Sequence, residues 1–197
     1  MQERKRISAD LHDDIGTGLS KISLLSELVR SQAKTPESRS EAEKIARTSR
    51  ELLDRIREII WALNSNNDYL ENLVSYIRWY ASEYFESSGV SLNLDEPIDI
   101  PPTPINGEYR RNVFYSVKEA MHNIVKHAEA TEAEIKFRLD KGLFSISVND
   151  NGKGIPEVKQ NRFGNGIKNI MNRMEAVKGN VRIENHDGTK ITLTMPV

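Results

Sequence analysis

Apolar residues recur at intervals of three and four from the start of the chain, at Ile7, Leu11, Ile15, Leu19, Ile22, Leu25 and Val29. That spacing draws one stripe along a helix and predicts a long amphipathic helix over Glu3–Lys34. Thr35-Pro36-Glu37-Ser38 interrupts it, because proline cannot continue the helical hydrogen-bond ladder. A second stripe, Ile45, Ser49, Leu52, Ile56, Ile59 and Leu63, repeats at close to 3.5 residues and reads as a coiled-coil-like seam. Two long helices joined by a short turn make an antiparallel hairpin that cannot cover its own apolar stripes. A second copy would complete a four-helix bundle, so a homodimer is expected.

Asn64-Ser65-Asn66-Asn67-Asp68 is a polar break, and it marks the expected boundary between a helical hairpin, 1–66, and a second domain, 67–197. Beyond it the periodicity changes. Tyr69–Ser87 reads as a helix rich in aromatics, with Tyr76, Trp79, Tyr80, Tyr84 and Phe85 expected in the core. Val90–Leu94 reads as a short strand, and a proline-rich loop leads to a helix over 107–127. Ala133, Ile135, Phe137 and Leu139 alternate with charged residues, and Phe144, Ile146 and Val148 alternate likewise, so both stretches read as half-buried strands. A Gly/Asn-rich loop precedes a helix ending near Gly179. Val181 and Ile183, the turn Asp187-Gly188, and Ile191, Leu193 and Met195 complete a hairpin. The expected class is α+β: a helical hairpin followed by a two-layer α/β sandwich.

Composition narrows the possibilities. Lys+Arg of 28 against Asp+Glu of 29 leaves a net charge of −1, so no basic field points to direct nucleic-acid binding. The absence of cysteine excludes disulfides and thiolate metal sites and suits a reducing, cytoplasmic setting. No apolar run approaches the roughly 20 residues needed to span a bilayer. Glu3-Arg4-Lys5-Arg6 is read as a solvated helix start in preference to a juxtamembrane cluster.

Three stretches bear chemistry. On the helix 107–127, Glu119, Asn123, Lys126 and His127 bring a carboxylate, an amide, an ammonium and an imidazole together. Hard oxygens suit Mg²⁺ and cations suit phosphates, although a solvated polar face has the same spacing. Asp150-Asn151-Gly152-Lys153-Gly154 follows a strand directly, where glycines allow close backbone approach to a ligand and a buried carboxylate accepts from an exocyclic amine. Gly164-Asn165-Gly166 opens the next helix, whose free N–H groups favour a phosphate. Upstream, His12-Asp13 lies on the first helix, with His12 roughly a quarter-turn from the centre of the apolar stripe. A neutral imidazole is a competent nucleophile near its unperturbed pKa of about 6.5. His122 is expected beside the site and His186 in a loop.

The ordered set of Asn-bearing helix, Asp-Asn-Gly-Lys-Gly loop, Gly-Asn-Gly and terminal Gly188-Thr189 resembles the GHKL ATPase superfamily with its Bergerat-type ATP site. Glu3–Leu19 with His12-Asp13, and Trp61-Ala62-Leu63, resemble sensor histidine kinases of the nitrate-sensor-like and desaturase-thermosensor-like subclass. The resemblance covers essentially the whole chain. It implies that Asn123 coordinates Mg²⁺ bridging the phosphates of ATP, that Glu119 supports that metal site, and that Lys126 and His127 contact phosphates. It further implies that Asp150 binds the adenine amine with help from Thr189, and that Gly152, Gly154, Gly164 and Gly166 shape the pocket. His12 would accept the γ-phosphoryl group with Asp13 as base, and an aspartate of a response-regulator receiver domain would take it next. Thr17 stands where the subclass often has an amide that orients water for dephosphorylation, which leaves phosphatase activity open. The alternatives are a GHKL ATPase or serine kinase using the same pocket, or a dimeric ATP-sensing scaffold with an idle transfer step. Kinases of this kind usually have an upstream, often membrane-embedded sensing region, so the chain is expected to be the intracellular catalytic portion of such a sensor.

Overall fold

The computed structural model describes residues 15–64, 68–95, 100–155, 165–185 and 187–197. The chain divides into two compact units, Met1–Asn67 and Asp68–Val197. In the first, α1 (Thr17–Gln32) and α2 (Pro36–Leu63) pack along each other. The break between them serves as a start signal. Thr35 is the N-cap of α2, its hydroxyl oxygen accepting from the Ser38 N–H at 3.2 Å, and Pro36 occupies the first helical turn, where a missing N–H costs nothing.

The two helices meet through small side chains. Ser26 of α1 and Ala42, Ala46 and Ser49 of α2 are buried, which lets the backbones approach closely. Arg50 of α2 also reaches Glu27 of α1 at 3.1 Å. The residues of the expected α2 seam divide between covered and exposed positions. Ser49 faces the partner helix, Ile56 is half-buried, and Ile45, Leu52 and Ile59 are 52%, 40% and 43% exposed. These three recur every seven residues, and Ile15, Ile22 and Val29 of the α1 end repeat the same interval, also exposed. A strict seven-residue apolar repeat is what a helix presents to another helical surface.

The second unit begins with α3 (Leu70–Glu86), which buries Leu70, Leu73, Val74, Ile77, Ala81 and Phe85. Trp79 is not core, contrary to the reading from composition. It is 55% exposed, because at 100° per residue it lies half a turn from the buried stripe that Leu70 begins. Its ring leans on Tyr76 with centroids 5.5 Å apart. The chain continues through β1 (Ser91–Asp95), α4 (Gly107–Asn123), β2 (Glu132–Asp140), β3 (Leu143–Asp150), α5 (Asn165–Ala176), β4 (Asn180–Asn185) and β5 (Thr189–Pro196). Among the described residues the sheet is five-stranded, in the order β1-β2-β3-β5-β4, with β1 parallel to β2 and the other pairs antiparallel. Ile135, Phe137, Phe144, Ile146 and Leu193 line its covered face with no exposure, against Val113, Phe114, Val117 and Met121 of α4 and Ile170 and Met174 of α5. Alternate residues such as Glu134 and Lys136 point to the other, polar face. The unit is a two-layer sandwich. No helix among the described residues is long and apolar enough to cross a membrane.

Where the second unit starts, the chain is fastened to α4. Arg110 of α4 is fully buried, and its guanidinium donates to the Asp68 carboxylate at 2.5 Å. The Asp68 carbonyl accepts from the Ile105 N–H at 3.0 Å, and the Leu70 N–H donates to the Thr103 carbonyl at 2.9 Å. A buried cation that loses its carboxylate keeps its desolvation cost. Asp68→Ala is therefore expected to destabilise the sandwich by about 2 kcal/mol or more. Thermal denaturation of the full chain, wild type against variant, reads this directly, and an unchanged midpoint would show that the pair contributes nothing.

Candidate functional site

Local sequence builds the site from the end of α4. Asn106 caps its start, accepting from the Tyr109 N–H at 2.7 Å, and the α-helix runs to Asn123. The expected helix over 107–127 does not finish as an α-helix. Ile124–Ala128 forms a wider π-helical turn, and Glu129 closes it in the left-handed conformation, with φ of 55°. Lys126 and His127 therefore sit on a turn whose side chains fan out from the direction that α-helical spacing implies. The turn ends by presenting the Ala128 carbonyl to the Lys153 N–H at 2.9 Å. The loop after β3 packs so tightly here that a Cβ at Gly152 would collide with that carbonyl, and only glycine fits. Lys153 adds an ion pair to Glu129 at 2.5 Å, which holds the exposed Glu129 carboxyl below its ordinary range.

Asp150 ends β3 and is 4% exposed. Its Oδ1 accepts from the Gly152 N–H at 2.9 Å and from the Thr189 N–H at 3.3 Å. Burial pushes its carboxyl above the usual carboxylate range, and the two backbone N–H groups oppose that shift. Oδ1 is thus occupied, and Oδ2 retains lone pairs for a ligand. Around the carboxylate, Val148 and its cross-strand neighbour Ile191, with Ile124, Ile155 and Ile167, make an apolar slot. A flat heteroaromatic ring with an exocyclic amine satisfies both properties: apolar faces for the slot and an N–H donor for the single acid.

The slot belongs to a cavity of roughly 630 Å³ that is also lined by Glu119, His122, Asn123, Lys126, His127 and Lys153. Burial, then the charge of Lys126, lowers the His122 pKa, so this imidazole stays neutral beside the cations. The Glu119 charge also helps to raise the Tyr84 pKa, behind burial. Gly166, at the start of α5, lies against the Glu119 carboxylate, which a Cβ there would displace. The donors suit a hard divalent ion: an Asn123 amide oxygen and a Glu119 carboxylate one helical turn apart. Among the described residues no three His, Cys, Asp or Glu side chains cluster to hold a metal by themselves. Such a sparse donor set fits Mg²⁺, which completes its octahedron with phosphate oxygens and water.

The structure brings Glu119, Asn123, Lys126, His127, Asp150, Gly154, Gly166 and Thr189 to one cavity, with Gly152 in the loop behind it. Gly164, His12, Asp13 and His186 lie outside the described residues. Thr17 opens α1 in the first unit and is exposed. His122 lines the cavity where sequence reasoning placed it only nearby, and Ile155, Asn165 and Asn185 were not singled out. Lys153, inside the Asp-Asn-Gly-Lys-Gly stretch, had a signal; Asn185, thirty residues from the loop it bonds, had none.

Comparison with known proteins finds relatives for both parts of the chain. Residues 3–68 match the family described as histidine kinase, and residues 109–197 match the histidine kinase-, DNA gyrase B- and HSP90-like ATPase family. The chain is 31% identical over 200 residues to the sensor histidine kinase YvfT of Bacillus subtilis (strain 168), covering all of this chain and 51% of that protein. It is 28% identical to the sensor histidine kinase DesK of the same organism, at 51% of its length. It is also 25% identical to the signal transduction histidine-protein kinase/phosphatase DegS of Brevibacillus brevis, at 52% of its length. The chain spans about half the length of these relatives. Among solved structures, the histidine kinase domain of the Erythrobacter litoralis EL346 blue-light activated kinase superposes with a TM-score of 0.62 at 14% identity, covering 91% of this chain and 94% of that one. The Acinetobacter baumannii histidine kinase AdeS gives 0.54 at 15% identity, over 94% and 97%.

A carboxyl whose folded pKa is raised holds its proton more tightly when folded. Its contribution to stability is full below the unfolded value of about 3.9 and is lost as pH rises through the folded one. Asp150→Asn keeps an acceptor for the Gly152 and Thr189 N–H groups and removes the buried charge. At pH 7 it is expected to raise the thermal midpoint while weakening ADP binding at least about 100-fold, since an amide N–H would face the ligand's own donor. Melting curves across pH 4–7 and ADP titration calorimetry check both effects. A lowered midpoint at neutral pH would refute the charge argument.

Proposed function

The chain belongs to the sensor histidine kinases, and from that premise we propose that it transfers the γ-phosphoryl group of ATP to His12. The observation that supports this best is that one cavity is lined both by apolar side chains beside a buried acid, Asp150, and by polar Glu119, Asn123, Lys126 and His127. An adenine and a triphosphate differ in that same sense. Asp150 Oδ2 accepts from the adenine amine, and Thr189 keeps the carboxylate in place through its N–H. Asn123 and Glu119 would hold Mg²⁺, which would supply charge neutralisation to the phosphates. Lys126 and His127 neutralise further charge. His122, neutral, adds no repulsion toward a cation.

The receiving imidazole comes from the other unit. One ring nitrogen of His12 attacks the γ-phosphorus as its bond to the β–γ bridging oxygen breaks, and ADP leaves. Asp13 accepts the proton from the other ring nitrogen, so the product is a neutral phosphorylated ring. The phosphoryl group then passes to an aspartate of a response-regulator receiver domain. Histidine kinases work in general as dimers, and the uncovered heptads Ile15, Ile22 and Val29, with Ile45, Leu52 and Ile59, support a second copy as the cover that completes a four-helix bundle. Thr17, five residues after His12 and exposed, is the position from which a hydroxyl would orient water for hydrolysis of the partner's aspartyl phosphate.

Incubation with γ-labelled ATP tests the assignment. Wild type is expected to gain an acid-labile, alkali-stable label. His12→Ala should gain none while binding ADP within about twofold of wild type, and Asn123→Ala should label about 100-fold more slowly or worse, as expected for loss of charge stabilisation at the transferring group. Label persisting in His12→Ala would move the acceptor elsewhere and favour a serine kinase.

A further inference from the structure

We infer that Asn185, at the end of β4, is a positioning residue for the nucleotide cavity: its side-chain amide clamps the Ile155 backbone and so holds a residue that lines the cavity with Asp150. This rests on the nucleotide reading of that cavity and extends it to a residue outside its lining. The Asn185 Oδ1 accepts from the Ile155 N–H at 2.8 Å, and its Nδ2 donates to the Ile155 carbonyl at 3.0 Å. Both hydrogen-bonding groups of one residue are thereby satisfied by one side chain, and only one amide orientation does this. A carboxylate has no donor, and a hydroxyl cannot span both atoms, so the fork of asparagine is required.

Two further observations tie the clamp to the site. Gly154 lies directly under the Asn185 amide with φ of 70°, and a Cβ there would collide with Oδ1, so the loop is moulded on this side chain. Asn185 also pairs across the β4–β5 ladder with Thr189, whose N–H donates to Asp150 Oδ1. A single cross-strand pair therefore grips both ends of the loop 150–155: Thr189 holds the acid that begins it, and Asn185 holds Ile155, which lines the apolar slot. Without the amide, Gly152-Lys153-Gly154-Ile155 keeps its attachment to Ala128 and loses its attachment to β4. The slot then loses its width rather than its chemistry.

The test uses the full chain with ADP–Mg²⁺ in calorimetry and ATP in autophosphorylation assays, comparing wild type with Asn185→Ala and Asn185→Leu. Leucine keeps the branched shape of asparagine at Cγ, fills the space, and lacks both hydrogen bonds. About tenfold weaker ADP binding is expected in both variants, consistent with two lost hydrogen bonds. The apparent KM for ATP should rise by a similar factor, with the rate at saturating ATP within about twofold, because the clamp shapes binding and touches no reacting atom. A leucine variant matching wild type would overturn the clamp in favour of simple space-filling, as would a fall in saturating rate at unchanged KM. Wild type failing to bind ADP at all would instead sink the nucleotide reading beneath it.

Discussion

A carboxylate buried at the end of β3 is the constraint around which the second unit is organised. Asp150 sits in a slot whose other walls are isoleucine and valine, and burial opposes its ionisation. It stays there because two backbone N–H groups, from Gly152 and Thr189, converge on one of its oxygens. That convergence dictates the sharp turn after β3, the glycine that lets the loop approach Ala128, and the entry of β5 beside it. An oxygen left open toward an apolar slot is a costly arrangement for stability alone. Its value lies in the ligand donor it can accept.

The opposite end of the cavity is built by a local departure from regular structure. Had α4 continued beyond Asn123, Lys126 and His127 would follow α-helical spacing, and Ala128 would offer its carbonyl along the helix axis. The π-helical turn and the left-handed Glu129 redirect that carbonyl to the Lys153 N–H, which joins the polar helix end to the glycine loop. Charge at one end and an apolar slot at the other follow from two elements meeting at that junction. The arrangement gives a ligand a fixed orientation before any chemistry occurs.

The helical hairpin uses a different economy. Its two helices touch through Ser26, Ala42, Ala46 and Ser49, so their larger apolar residues are left facing outward at seven-residue intervals. A protomer with small residues inside and isoleucine and leucine outside is a poor isolated fold and a good half of a bundle.

Much of this was legible in the residues alone. Alternation in β2, β3 and β5 marked the covered sheet face, and the order of Asn123, Asp150, Gly152, Gly154 and Thr189 marked the pocket, because periodicity and glycine-dependent turns are local properties. Which face of an element is buried depends on what packs against it, and there sequence reasoning erred: the aromatic helix turned its aliphatic side inward and left Trp79 outside. The buried Arg110–Asp68 pair, the π-helical turn and the Asn185 fork on Ile155 were likewise invisible. Each joins atoms that sequence separation says nothing about, 42 residues apart for Asp68 and Arg110 and 30 for Ile155 and Asn185. Local spacing names the chemical groups; only the folded chain decides which of them touch, since long-range hydrogen bonds and side-chain burial are settled by packing and not by propensity.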